Sequence, residues 1–219
     1  MLKQITISIF LTMMVFSAYS KVWTLSDSRL HIRFDDQTVL LSVTDKRCKQ
    51  SVGTAPVERS VFSKRKSERK GNSLNVKLSG KYELDVIFVL TESSTLEVSL
   101  KADEKISMES FAFPSAIKAP DKNHYMLLTD SEGLLLSVDD AEYPVGENGP
   151  YFCGGGLAMA WMGMVDNQFN TGYMAILNTP YDATLRTKRE NGLVASEPLW
   201  MPSDGKVWLR TQSNLPFFR

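Results

Sequence analysis

Histidine and cysteine are scarce in this chain, and their scarcity narrows the chemistry it can carry. His31 and His124 are the two histidines in 219 residues, too few and too far apart for a histidine-based triad or a zinc centre. The two cysteines, Cys48 and Cys153, make no disulfide framework; a single bridge and two separate thiols both remain open. No GxSxG, HExxH or CxxC occurs. No metal or cofactor is expected.

An excess of either charge is also missing. With 25 basic and 25 acidic residues, the chain has no global attraction to nucleic acid or to an anionic membrane. After the first twenty residues no long apolar run follows, which excludes a multi-spanning protein.

The N-terminus does carry one apolar run. In MLKQITISIFLTMMVFSAYS, Lys3 precedes Ile5 to Phe16, and Ala18-Tyr19-Ser20 closes the stretch. That is the layout of a secretory signal cleaved after Ser20. The run is shorter than the ~20 residues of a comfortable membrane span, so a retained anchor is the lesser reading. Residues 1–20 are read as a signal peptide and 21–219 as one domain, exported to the periplasm, cell surface or medium.

The mature chain reads in period two. Leu30, Ile32 and Phe34 share one face, with Arg29, His31 and Arg33 on the other; Asp35-Asp36-Gln37 supplies a turn into Val39–Val43. His31 is read as a solvent-facing strand residue and His124 as a turn residue of the same bland kind. Between Asp45 and Lys70 lies a basic stretch peaking at SKRKSERK. It lacks interleaved aromatics for base stacking, so it is read as a solvated loop and a lysine-protected edge strand. Further strands are expected at Leu74–Leu78, Leu84–Leu90, Leu96–Lys101, Ile106–Phe113, Tyr125–Thr129, Leu134–Val138, Tyr173–Leu177 and Thr184–Lys188. Short strands about ten residues apart indicate an all-β, antiparallel β-sandwich. The one stretch with a helical option, Ala116–Asp121, contains Pro120 and follows Pro114, which argues against a helix.

CGGGLAMAWMGMVD, Cys153 to Asp166, is the least ordinary segment. It is a poor phosphate loop, lacking the Gly-Lys-Ser/Thr that would follow and any helix after it. Read as a strand, Leu157–Val165 puts Leu157, Met159, Trp161 and Gly163 on one face and Ala158, Ala160, Met162 and Met164 on the other. Neither face is polar, so both are expected to be covered. Asp139, Asp166 and Asp182 are acids from which a complete small hydrolase could be built, but a glycosidase pair needs a defined separation, which spacing along a chain does not supply. Aromatics gather near loops: Tyr151, Phe152, Trp161, Tyr173, Tyr181, Trp200 and Trp208. Rings beside acids suit sugars, although large aromatics also fill sandwich cores.

The ordered motifs carry a resemblance. They are W-x-L at Trp23, I-x-F-D at Ile32, V-x-D-K-R at Val43, FPSAI at Phe113 and LLTDSEGLLLSVDD at Leu127. GGLAMAWMGMVD, GYMAILNTPYDA and LWMPSDGKVWLR follow from Gly155, Gly172 and Leu199. Together, from Lys21 to the end, they resemble the N-terminal β-sandwich of large secreted glycoside hydrolases related to the endo-α-N-acetylgalactosaminidase group, families 101 and 129. There a mutarotase-like supersandwich precedes a (β/α)8 barrel. The resemblance implies that the barrel and its catalytic acids lie beyond Arg219, so no catalytic residue carries over to this chain. The apolar ending Leu215–Arg219 fits a chain cut within a longer protein. Trp161, Asp166, Tyr181, Asp182 and Trp200 are the candidates for contact with a glycan or with the barrel, the two implied partners. The expected function is therefore a non-catalytic sandwich of an exported glycoside hydrolase. A free-standing carbohydrate-binding or adhesion module is the alternative.

Overall fold

A computed structural model describes residues 21–57, 61–102, 111–113, 115–130, 132–146, 151–152, 156–178, 183–200 and 207–213. Among them there are strands and turns and no helix. In chain order the strands are β1 (Val22–Ser26), β2 (Leu30–Asp35), β3 (Leu40–Asp45), β4 (Gln50–Thr54), β5 (Phe62–Lys70) and β6 (Ser73–Gly80). Next come β7 (Glu83–Leu90), β8 (Thr95–Ala102), β9 (Phe111–Ala112), β10 (Ile117–Lys118), β11 (His124–Asp130) and β12 (Leu134–Ser137). The last are β13 (Tyr151–Phe152), β14 (Gly156–Asp166), β15 (Gly172–Leu177), β16 (Ala183–Glu190), β17 (Leu193–Trp200) and β18 (Val207–Ser213).

The pairings resolve into two antiparallel sheets. The first runs β1-β2-β3-β4, then the short β10 and β9 side by side along one edge of β17, then β16. The second runs β12-β11-β14-β15-β18-β8-β7-β6-β5. β13 bridges them, antiparallel to β16 and parallel to β14.

Period-two residues explain why the sheets face each other. Leu30, Ile32 and Phe34 point inward from the first sheet; Leu84, Val86 and Phe88 do so from the second, and all belong to one buried cluster. Phe34 and Phe88 meet across the layers with ring centroids 4.9 Å apart. Each such fully buried side chain contributes about 2 kcal/mol. The β2–β3 turn is held by Asp35, whose Oδ1 accepts the amides of Gln37 and Thr38 at 2.8 and 3.2 Å.

The basic run lies on β5, at the edge of the second sheet, paired only with β6 among the described strands. Ala116–Asp121 contains no helix: Ile117 pairs with both Thr54 and Ser196, as a strand between two others. The expected strand at Ile106–Phe113 survives as β9, with residues 106–110 outside those described. His124 is not an exposed turn residue. It opens β11 with its side chain directed between the sheets and is buried. Cys48 is a free, half-buried thiol, while Cys153 lies outside the described residues.

Candidate functional site: the outer face of the second sheet

β14 lies between β11 and β15 in the second sheet and decides the character of the outer face there. Its simple alternation fails at one place. Asp130 pairs with Leu157, whereas Leu128 pairs with Met162, so extra residues of β14 bulge out between them. Thr129 fastens the bulge: its Oγ1 donates to the Met159 carbonyl at 2.9 Å. The slip moves Leu157 to the inward face with Met162 and Met164, while Met159 stands 51% exposed. The sequence-based grouping of Leu157 with Trp161 is thereby corrected.

Beyond the bulge, Trp161, Gly163 and Val165 face outward. Leu135, Leu127, Gly163 and Met174 form one cross-strand row; Trp161 and Ile176 form the next. Leu135 is 46% exposed, and Trp161, Leu127, Met174 and Ile176 are half-buried. The result is a continuous apolar surface on the side facing away from the core. At its margin Tyr125 and Phe169 stack with planes 2° apart and centroids 6.0 Å apart.

Asp166 does not reach this surface. It ends β14 and turns its carboxylate onto the following loop, accepting the amides of Gln168, Asn170 and Thr171 and the Thr171 hydroxyl, the last at 2.8 Å. Partial burial pushes its pKa up, but these hydrogen bonds outweigh burial and hold it below the usual carboxylate value. The arrangement shapes a loop. Tyr181 and Asp182 lie outside the described residues, and Trp200 is described as the last residue of β17, without its side chain.

Sequence reasoning missed a charged cluster on the outer face of the first sheet. Glu197 on β17 stands opposite Arg186 on β16, and its side chain is 3% exposed. Arg186 Nε donates to Glu197 Oε2 at 2.5 Å, Nη2 reaches the same oxygen, and Lys188 Nζ lies 3.6 Å from Oε1. Ser115 adds a 3.4 Å hydroxyl contact from a backbone with φ of +102°, rare for a non-glycine residue. Such a buried, fully engaged ion pair is a structural device unless something displaces its cations. In the sequence the only mark of this cluster is the pair Glu197-Pro198. The ladder along the β9/β10 edge does lapse there, between Ser196 and Leu199, where a proline needs no partner.

Among the described residues no group of three or more His, Cys, Asp or Glu side chains is placed to hold a metal, and no helix is long and apolar enough to cross a membrane.

No protein-family model matches the sequence, and no curated protein matches it. Solved structures do match in fold. The α-N-acetylgalactosaminidase NagBb from Bifidobacterium bifidum, in its GalNAc complex, superposes with TM-score 0.70 over 88% of this chain at 15% identity. Its ligand-free form gives 0.66 over the same share. A galactose mutarotase related enzyme from Lactobacillus acidophilus aligns over 90% of this chain and 98% of its own, at 9% identity and TM-score 0.49, a likeness too slight to argue from. The chain spans 36% of the length of the NagBb structures. The fold is thus a β-sandwich of the kind found in NagBb.

Proposed function

We propose that this chain is the non-catalytic β-sandwich of an exported glycoside hydrolase, bracing a catalytic barrel of the same polypeptide and bordering its glycan cleft. One observation carries the reading: over β12, β11, β14 and β15 the outer face of the second sheet is apolar, where a solitary sandwich would be polar. Leu127, Leu135, Trp161, Met174 and Ile176 offer a second layer the same kind of surface that the inner face offers the first. The shared fold with NagBb, one structure of which is a GalNAc complex and whose chain extends well past the matched share, supports a larger enzyme acting on N-acetylgalactosaminides. Of the acids named as possible catalysts, Asp166 holds its own loop and exposed Asp139 accepts from the neighbouring Ser137 hydroxyl, which supports a non-catalytic role.

The Tyr125–Phe169 stack favours a second reading, a carbohydrate-binding module that presents this aromatic margin to a sugar. Both readings meet in one experiment on residues 21–219. The purified chain should not hydrolyse an aryl α-N-acetylgalactosaminide and should show no more than millimolar affinity for GalNAc-terminated glycans. Turnover would overturn the non-catalytic role. Micromolar glycan binding, lost in Phe169→Ala while Trp161→Ala keeps it, would instead establish the binding module.

A further inference from the structure

The two sheets do not close fully at the end where β3, β4 and β10 face β11, β14 and β15. A cleft opens between their inner faces, lined by Leu41, Val43, Val52, Ile117, Met164 and Tyr173. The cleft has a cavity volume of about 60 Å³ and is open to solvent. Val43 and Val52 face inward yet remain half-buried, which marks a real gap between the layers. Interiors pack closely, so a persistent opening between apolar walls is unusual for a site with no occupant.

One end of the cleft is polar, and its geometry is specific. His124 enters from the second sheet with its side chain 7% exposed. Its Nδ1 lies 2.8 Å from Asp121 Oδ1, and Asp121 is held below the usual carboxylate pKa first by the amide of Asn123 and then by His124 itself. A carboxylate only accepts, so Nδ1 carries the hydrogen. In the neutral ring Nε2 is then a lone pair directed into the cleft. Its neighbour there is Gln50 Oε1 from the first sheet, at 3.5 Å. That distance is at the outer limit of a hydrogen bond, and a neutral ring is satisfied there only when the Gln50 amide turns its NH2 toward Nε2.

A hydroxyl can bridge the two groups with shorter bonds than they make to each other. It donates to Nε2 and accepts from the Gln50 amide once the amide turns. A carboxylate cannot donate, and it would also meet Asp45, which lines the same cleft. An alkane satisfies neither group. We infer that this inter-sheet cleft binds a small neutral amphiphile, a single hydroxyl on an apolar ring or short chain, with the hydroxyl between His124 and Gln50. The hydroxyl lies at the polar end of the cleft and the ring along its apolar walls. Leu41, Val52 and Met164 cover its faces.

The test is titration of residues 21–219 with phenol, with toluene and benzoate as hydroxyl-free and anionic controls, followed through the His124 ring resonances. Phenol should shift those resonances saturably, leave His31 unmoved, and bind at least tenfold more tightly than either control. Gln50→Leu, at a half-exposed position, should weaken phenol at least fivefold without unfolding the chain, and Val52→Trp should block it by filling the cleft. Equal binding of phenol and toluene, or no saturable shift up to the solubility limit, would overturn the inference. Phenol binding unchanged in Gln50→Leu would overturn it as well.

Discussion

The Leu127 side chain lies over Gly163: a β-carbon built on that glycine would stand 3.4 Å from Leu127 Cδ1 and 3.0 Å from the Tyr173 carbonyl oxygen. The glycine in the middle of β14 therefore serves close approach between β11, β14 and β15. Gly163→Ala should cost about 1–2 kcal/mol, the usual scale of mild overpacking. Gly80 is the sterner case, since a β-carbon there would fall 2.4 Å from the backbone oxygen of Val61. Gly80→Ala should lose more stability than Gly163→Ala in the same urea titration. The reverse order would contradict the packing described.

The Arg186–Glu197 pair should behave as a buried unit. Replacing Glu197 by Gln leaves Arg186 and Lys188 without their shared counter-charge beside a carboxamide that is almost wholly withdrawn from water. A loss of about 3 kcal/mol is expected. The double variant Arg186→Met with Glu197→Leu should lose less than the sum of its single changes, because the Arg186 charge leaves with its partner and Lys188 keeps Glu190 at 2.7 Å. A double-mutant cycle by chemical denaturation measures this, and additive losses would place the pair in solvent.

Asp166 should make stability depend on acid. Its pKa in the folded chain is lowered, so its contribution is complete above the ordinary carboxylate pKa and disappears as pH falls through the folded value. Asp166→Asn should cost about 1–2 kcal/mol near neutrality, through loss of charge-assisted bonds to Thr171 and the loop amides. The deficit should shrink in acid, where the wild-type carboxylate is itself protonated. A deficit that is constant from pH 7 to pH 2 would show that the carboxylate charge does nothing.

Much of the fold was legible because amphipathic strands announce themselves. β6 and β7 show strict alternation of buried and outward residues, β8 does so from Leu96 on, and their expected bounds agree closely with the structure. What the pattern could not supply was partnership. β18 inserts between β15 and β8, joining segments more than seventy residues apart in sequence, and no local signal encodes that. The bulge before Trp161 was hidden for another reason: with apolar residues on both faces, a slip in register leaves no trace in hydropathy. His124 and Glu197 were overlooked because burial of a polar side chain depends on partners brought from elsewhere, Gln50 and Asp121 for one, Arg186 and Lys188 for the other. Of the five site candidates, Trp161 lies on the apolar outer face and Asp166 organises its own loop. Tyr181 and Asp182 lie outside the described residues, and of Trp200 only the backbone is described.

The central claim, that a second layer covers the outer face of β11, β14 and β15, is tested most directly by oxidative footprinting. Trp161 and Met174 oxidise readily when wet and lie on that face, whereas exposed Met159 sits on the bulge beside them. The polypeptide isolated from its natural source should be compared with residues 21–219 alone. The account predicts at least fivefold slower oxidation of Trp161 and Met174 in the natural polypeptide. Equal rates in the two samples would contradict it.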